Sequence, residues 1–375
     1  MSLLCCRWCR AEVVDVVLDL GRQPAADDFP PAGAPRGPRY PLRMAQCRHC
    51  TLAQLVEDPT VPEQPLGIEP RAMREQAEQA VADVRAHGLL PDGVRVAEFD
   101  SPHGGSWRPL LVAAGADDRT DSDGELDLVI DVFSLMHDAD QRAALSARVA
   151  RLRPGGTLLV LFHPLSTIVA LGQWNALRHG HMAYYSVSGL VAMLAELGLA
   201  AASAWRYPLY GGSVLLAARA GAAPDESVRE LLAADARAGV GAPAFAAGLQ
   251  DEMRASAGQL RDWLVAAAAA GLSVAGYAAA SRAVPLLNAA DIGPDLLAVI
   301  ADGAPGKAGR SIPGVAIPVI SVPELLARRP DRVLLFVPDL LAEVRAGLPE
   351  VEAGGGRWVL AEPRPCEILP LGATP

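Results

Sequence analysis

Basic runs and aromatic-interleaved basic patches are missing from this 375-residue chain, whose formal net charge is −10. Gripping a nucleic-acid backbone needs clustered Lys and Arg, so no nucleic-acid partner is expected. A long lipid-facing hydrophobic run is missing too. The one charge-free stretch of nearly that length, 263–281, is mostly Ala and Gly with little Leu or Phe, and it reads as a helix end followed by a buried strand. No membrane partner is expected. The opening residues, from Met1 to Arg7, reach a charge too soon for a secretory signal, which points to the cytoplasm. Cysteine is scarce beyond residue 50: five of the six lie before it, and Cys366 has no obvious mate. That distribution suits a reducing compartment rather than a disulfide scaffold. With 51% hydrophobic and 20% charged residues, the chain can bury a sizeable core in two or three domains.

What is present begins with two cysteine pairs of identical spacing, Cys6/Cys9 and Cys47/Cys50. Each C-x₂-C turn offers two thiolates to one tetrahedral zinc ion, and four thiolates close a structural site with no open position for catalysis. His49 lies inside the second pair and Cys5 outside the spacing. The 37 residues between the pairs exceed a usual ribbon, so 13–38 must form a long insertion whose ends the metal joins.

Downstream, apolar periodicity predicts helices over 71–87, 141–152 and 187–197, and strands over 94–99, 126–133, 157–162 and 213–218. A further helix runs to about Ala114, after a glycine-containing turn at 101–106. Strands apolar on both faces that alternate with helices imply a parallel sheet. An Ala-rich segment, 224–270, reads as a helix pair, and strands over 272–278, 296–301, 333–337 and 358–360 open a second α/β unit. The expected class is therefore α/β. A zinc-binding module spans 1–58, a first Rossmann-like domain 59–221, a helical connector 222–271 and a second Rossmann-like domain 272–375.

The order of several motifs carries a family resemblance. After the cysteine pairs come Arg153-Pro154-Gly155-Gly156, His179-Gly180-His181, Gly211-Gly212-Ser213, Gly276-Tyr277, Leu286-Leu287-Asn288, and Gly309-Arg310 followed by Pro313-Gly314. Together they resemble the deoxysugar C-methyltransferases that act on nucleotide-linked 4-keto sugars. The resemblance implies a class I methyltransferase-like first domain, structural zinc at Cys6, Cys9, Cys47 and Cys50, and a thymidine-diphosphate-linked keto-sugar substrate in antibiotic-type metabolism. In that family a Tyr-x-Glu-His stretch is catalytic, its last His the base; the matching positions here are Arg178, His179, Gly180 and His181. A proton beside a ketone is acidic enough for imidazole once the enolate oxygen is stabilised. In an extended segment His179 and His181 would share a face, so either could be the base. The resemblance further implies Glu98, Ser101 and Gly104 at the turn for S-adenosylmethionine (SAM). It implies Tyr185, Tyr210, Gly212, Ser213, Ser281, Arg282, Asn288, Lys307 and Arg310 around the sugar nucleotide.

Four departures concern the SAM site. Asp100 replaces the first glycine of the turn, and Pro102 removes a backbone donor. Only 14 largely polar residues separate Leu111 from Leu126, where the family fits a second strand and its ribose-binding acid, so the first domain is expected to be truncated. Val132 and Phe133 replace paired asparagines, and 69–73 replaces an aromatic stretch. These changes favour a SAM-independent outcome in which reprotonation gives epimerisation, isomerisation or elimination. SAM-dependent C-3 methylation and non-catalytic binding of a sugar nucleotide or partner enzyme are the alternatives.

Overall fold

The computed structural model describes residues 4–12, 14–60, 67–242 and 245–369. Sixteen strands, numbered along the chain, form three sheets among the described residues. The first sheet joins β1 (Val14–Gln23), β2 (Tyr40–Cys47), β3 (Ala53–Leu55) and β8 (Ala183–Tyr184), all antiparallel. The expected long insertion is thus largely the β1–β2 ribbon and its loop. β8 comes from far along the chain: Gln54 pairs with Ala183 and Ala53 with Tyr184. That pairing anchors the segment just after His181 to the cysteine-bearing sheet.

The second sheet runs β5 (Asp117–Asp118), β4 (Arg95–Phe99), β6 (Leu126–Val132), β7 (Leu152–Phe162), β10 (Ser213–Arg219) and β9 (Ala200–Tyr207). Its β5, β4, β6 and β7 are parallel, while β10 and β9 return antiparallel. β6, β10 and β7 from Gly156 onward are almost continuously buried, as a covered sheet requires. The polar remnant between Leu111 and Leu126 supplies no central strand: it forms β5, two residues long at the sheet edge, pairing Arg95 with Asp117 and Val96 with Asp118. The strand expected over 157–162 starts earlier, at Leu152, so Arg153–Gly156 belong to β7. At Gly156 a Cβ would come within 2.9 Å of the Leu126 carbonyl, which explains the glycine.

The third sheet is ordered β13 (Val319–Ile320), β12 (Ile300–Ala301), β11 (Val274–Tyr277), β14 (Arg332–Leu335), β15 (Arg357–Leu360) and β16 (Cys366–Glu367), parallel but for β16. Helices α1 (Arg71–Ala86), α2 (Arg108–Ala113), α3 (Gln141–Ala150), α4 (Leu165–Ala170) and α5 (Val187–Glu196) accompany the second sheet. The expected helix pair is α6 (Glu226–Ala238) and α7 (Gly248–Ala269). The charge-free stretch is the end of α7 followed by β11, and no helix among the described residues is long and apolar enough to cross a membrane.

The cysteine-bearing sheet sits between the other two. One face contributes Leu18, Leu42, Met44 and Leu55 to a core shared with Leu287, Ile300 and Phe336 of the third unit. Cys6, Trp8, Cys47 and Leu52 instead pack with Leu158, Val160, Leu190 and Leu194 of the second. Side chains buried on this scale fix how the units face one another.

Candidate active site

A cavity of about 390 Å³ lies where the carboxyl ends of the two parallel sheets meet. In open α/β sheets that is where ligands bind. His103 follows β4, Phe133 and His137 follow β6, and His163 directly follows β7. From the opposite side come Tyr277 at the end of β11, Ser281 and Arg282 after it, and Asp302 after β12. Arg178 and His181 complete the wall from the segment that β8 pins to the cysteine-bearing sheet.

Four of the chain's seven histidines line this space. Ring nitrogens of His103, His137 and His181 lie within 4.8 Å of one another. The His137 Nδ1–H donates to the Gly180 carbonyl at 2.9 Å, which leaves its Nε2 as the lone-pair nitrogen. His163 stacks on Tyr210, and its buried Nε2 has no hydrogen-bond partner among the described residues. Arg178 Nε donates to His181 Nε2 at 2.7 Å. Burial, reinforced by the Arg178 charge, pushes His103 and His137 down to about 4 and His181 well below the ordinary imidazole range. Burial carries His163 to about 3. At neutral pH the cavity therefore presents neutral imidazoles, the form that can accept a proton.

The same shifts set the acid stability. Between about pH 6.5, where unfolded histidine titrates, and pH 4, the unfolded chain binds protons that the folded cavity refuses, so stability falls as pH falls through that window. His163→Phe keeps a ring against Tyr210 and removes one titrating group. Its melting temperature should fall less between pH 6.5 and 4 than that of the parent; an equal fall would contradict burial of a neutral His163.

Of the residues expected from sequence, Ser101, Arg178, His181, Tyr185, Tyr210, Ser281, Arg282 and Lys307 line the cavity. Glu98, Gly104, His179, Gly212, Ser213, Asn288 and Arg310 do not. The segment at His179 is a turn rather than extended: Gly180 has φ +84°, and His181 N bonds back to the Arg178 carbonyl. His179 therefore points the other way, its Nε2 on the Pro41 carbonyl. Arg310 holds the Phe29 carbonyl, and Asn288 takes Arg39 on its Oδ1 while donating to the Pro313 carbonyl. At Gly314 a Cβ would lie 2.3 Å from Asn288 Oδ1 and 2.9 Å from Pro24. These motif residues clamp the loop after β1 onto the third unit. Ser213 bonds Gln76 on α1, and Gly211 and Gly212 accommodate the backbone at Tyr210, whose φ is +60°. His103, His137 and His163 were not anticipated. The available signal was their position just beyond the carboxyl ends of three successive parallel strands.

The charges on the far wall are largely compensated. Arg282 is shared between Asp339 at 3.1 Å and Glu362 at 3.2 Å. Lys307, the only lysine of the chain, donates to the Ala279 carbonyl and faces Asp302 at 3.5 Å.

The residues expected to hold a cofactor divide in two. Glu98 turns inward and accepts from Ser106 Oγ, Trp107 N and Arg108 N at 2.8–2.9 Å, so it caps the start of α2. Ser101 faces the cavity, and the position where a Cβ would sit on Gly104 has nothing within 4 Å. Asp118 ends β5, the strand beside β4, and is not among the residues lining the cavity; it accepts from Thr120 and from Arg108 Nε at 2.8 Å. An open turn and an acid on the neighbouring strand fit SAM, with Arg108 competing for the acid.

The cysteines fit zinc. Cys6 and Cys50 sulfurs are 3.4 Å apart and those of Cys9 and Cys47 3.6 Å, close to the ~3.8 Å edge of a tetrahedron with ~2.3 Å Zn–S bonds. A hydrogen bond from Cys50 holds the Cys6 thiol down to about 5, while burial lifts Cys9 to about 11. Without a cation, four such thiols cannot ionise together.

Two doubly wound sheets facing across an imidazole-lined cavity, with a four-cysteine module between them, define a methyltransferase-like α/β protein. Residues 208–363 match the family model for a C-methyltransferase C-terminal domain, and residues 6–63 that for a zinc binding domain. The chain is 27% identical over 232 residues to the C-methyltransferase NovU of Streptomyces niveus, a match that covers 61% of this chain and 55% of that one. Both family models and this relative are in keeping with the C-methyltransferase resemblance that the order of motifs carries. The match spans little more than half of its curated relative's length. Among solved structures it is similar to magnesium protoporphyrin IX methyltransferase of Synechocystis PCC 6803, at 18% identity over 40% of this chain and 84% of that one, TM-score 0.30. It is also similar to 1,6-didemethyltoxoflavin-N1-methyltransferase of Burkholderia thailandensis, at 16% identity over 46% and 96%, TM-score 0.28.

Proposed function

We propose that the protein is a SAM-dependent C-methyltransferase acting on a nucleotide-diphosphate sugar that carries a ketone, with His181 as the base. The relatives that match are C-methyltransferases and lend no support to the SAM-independent outcome favoured from sequence. The observation that carries the reading is the cavity at the facing sheet ends, where a neutral imidazole and a guanidinium stand side by side. Neutral His181 takes the proton from the carbon beside the ketone. The electron pair moves into an enolate, whose oxygen the Arg178 guanidinium stabilises in a site of low polarity. Tyr210, His163 and Phe133 cover the sugar and exclude water. SAM, when bound, supplies an electrophilic methyl group, and Ser101 and Asp118 would hold it.

Incubation with SAM and a thymidine-diphosphate 4-keto-6-deoxy sugar should yield a product heavier by one CH₂. A product that gains solvent deuterium at carbon 3 but no methyl would instead restore the SAM-independent reading. SAM affinity should respond to Arg108: because Arg108 occupies Asp118, Arg108→Ala should tighten binding by about 2- to 5-fold, the worth of a partly exposed ion pair. Calorimetry giving equal affinity for parent and variant would dismiss Asp118 as the ribose acid.

A further inference from the structure

The base in this cavity is capped. Arg178 Nε–H can only donate and lies 2.7 Å from His181 Nε2, so in the free protein the imidazole proton sits on Nδ1 and the lone pair on Nε2 is occupied. The arrangement is built into the backbone: the Arg178 to His181 turn closes by a hydrogen bond, with Gly180 at a positive φ and its N–H held by Asp58. Arg178 is also the cavity cation without a carboxylate partner among the described residues, since Arg282 and Lys307 face Asp339, Glu362 and Asp302. Asp27 also lines the cavity, and its charge acts on His103 and His137, but Arg178 is the guanidinium there outside any ion pair among the described residues, and an entering oxygen can accept from it.

We propose that Arg178 is a lock on His181 that a substrate oxygen opens by accepting the Arg178 N–H, which rests on the reading of His181 as the base. When that oxygen arrives, the Arg178 N–H exchanges His181 Nε2 for the ligand. The freed Nε2 then takes the proton from the carbon beside the ketone, and the C–H electron pair becomes the enolate. Proton abstraction is thereby coupled to occupancy: a histidine with an open lone pair would enolise adventitious ketones, whereas this one is released by a ligand that takes up the guanidinium. The oxygen is either a diphosphate oxygen, anionic on arrival, with the enolate then forming beside the Arg178–diphosphate pair, or the ketone oxygen, which accepts the Arg178 N–H while still neutral and keeps it as the enolate forms. The departure of this chain from the family pattern, Arg178 in place of tyrosine, is what supplies the lock.

The lock is tested by NMR of the full chain labelled with ¹⁵N-histidine, the His181 signals being identified by their loss in His181→Ala. In the free protein Nε2 should be an unprotonated, hydrogen-bonded nitrogen, and Arg178→Ala should shift its signal. Thymidine diphosphate alone should produce the same shift if the diphosphate opens the lock. A shift only with a thymidine-diphosphate 4-keto-6-deoxy sugar would assign the key to the ketone oxygen. An Nε2 signal indifferent to Arg178→Ala and to both ligands at saturation overturns the proposal. So does a second bound metal equivalent lost in His103→Ala, because the lone pair would then belong to a metal held by the three imidazoles. In deuterium exchange, Arg178→Ala should lower the rate about 10²–10³-fold, as loss of an oxyanion donor does, and move the acid limb of its pH profile upward because no guanidinium opposes the imidazolium. An unmoved limb counts against the lock. Absence of exchange in the parent protein would sink the base assignment and leave the NMR result standing.

Discussion

Removing the zinc, by a strong chelator or by Cys47→Ser, is expected to collapse the cysteine-bearing sheet and to abolish activity with it. Cys47 ends β2 and is buried, so its loss leaves three thiols around a site that needs four. Structural zinc contributes on the order of 10 kcal/mol in small modules, comparable with the whole stability of a domain. The effect should reach the cavity. The Leu55 N–H donates to the Met182 carbonyl, and β8 continues that pairing, so the residue next to His181 hangs from the metal-stapled sheet. Trp8, between Cys6 and Cys9, bonds Glu196 at the end of α5 and ties the same turn to the second sheet. Elemental analysis should return one zinc per chain, and Cys366→Ser, on exposed β16, should retain it. Freshly purified protein without metal, or an unchanged melting temperature in Cys47→Ser, would refute the structural role.

Legibility of this fold in its sequence follows how local each signal is. The cysteine pairs are local, and the structure gathers them as their spacing requires. Strands β6, β7 and β10 announce themselves as apolar runs because both faces are covered. β8 and β5 could not be seen: two residues carry no periodicity, and each exists only because a distant strand offers its edge. The glycine and arginine motifs of the third unit were visible, but their role was not. Arg310 and Asn288 look like sugar-nucleotide ligands in one dimension, and in three they and Gly314 hold the loop at 24–31 against β13 and its neighbours. The histidine cluster was missed for the same reason in reverse, since residues 103, 137, 163 and 181 share no local pattern and converge only at the sheet ends.

His181→Ala should lower solvent-deuterium incorporation at carbon 3 of the keto-sugar nucleotide by about 10²–10⁴-fold, the usual worth of a positioned general base. Exchange is the right measurement because proton removal precedes methyl transfer and needs no methyl donor. His181 is buried, lines the cavity and is neutral at working pH, which meets the geometric and the protonation requirement together. His179→Ala is the internal control. Its ring bonds the Pro41 carbonyl and packs edge-on against Tyr40, outside the cavity, so its loss should cost some stability and leave exchange within a few-fold of the parent. His163→Phe distinguishes the remaining candidate: if the partnerless His163 Nε2 were the base, that variant rather than His181→Ala would carry the loss. Exchange that survives both His181→Ala and His163→Phe would leave a cavity that binds a sugar nucleotide without enolising it.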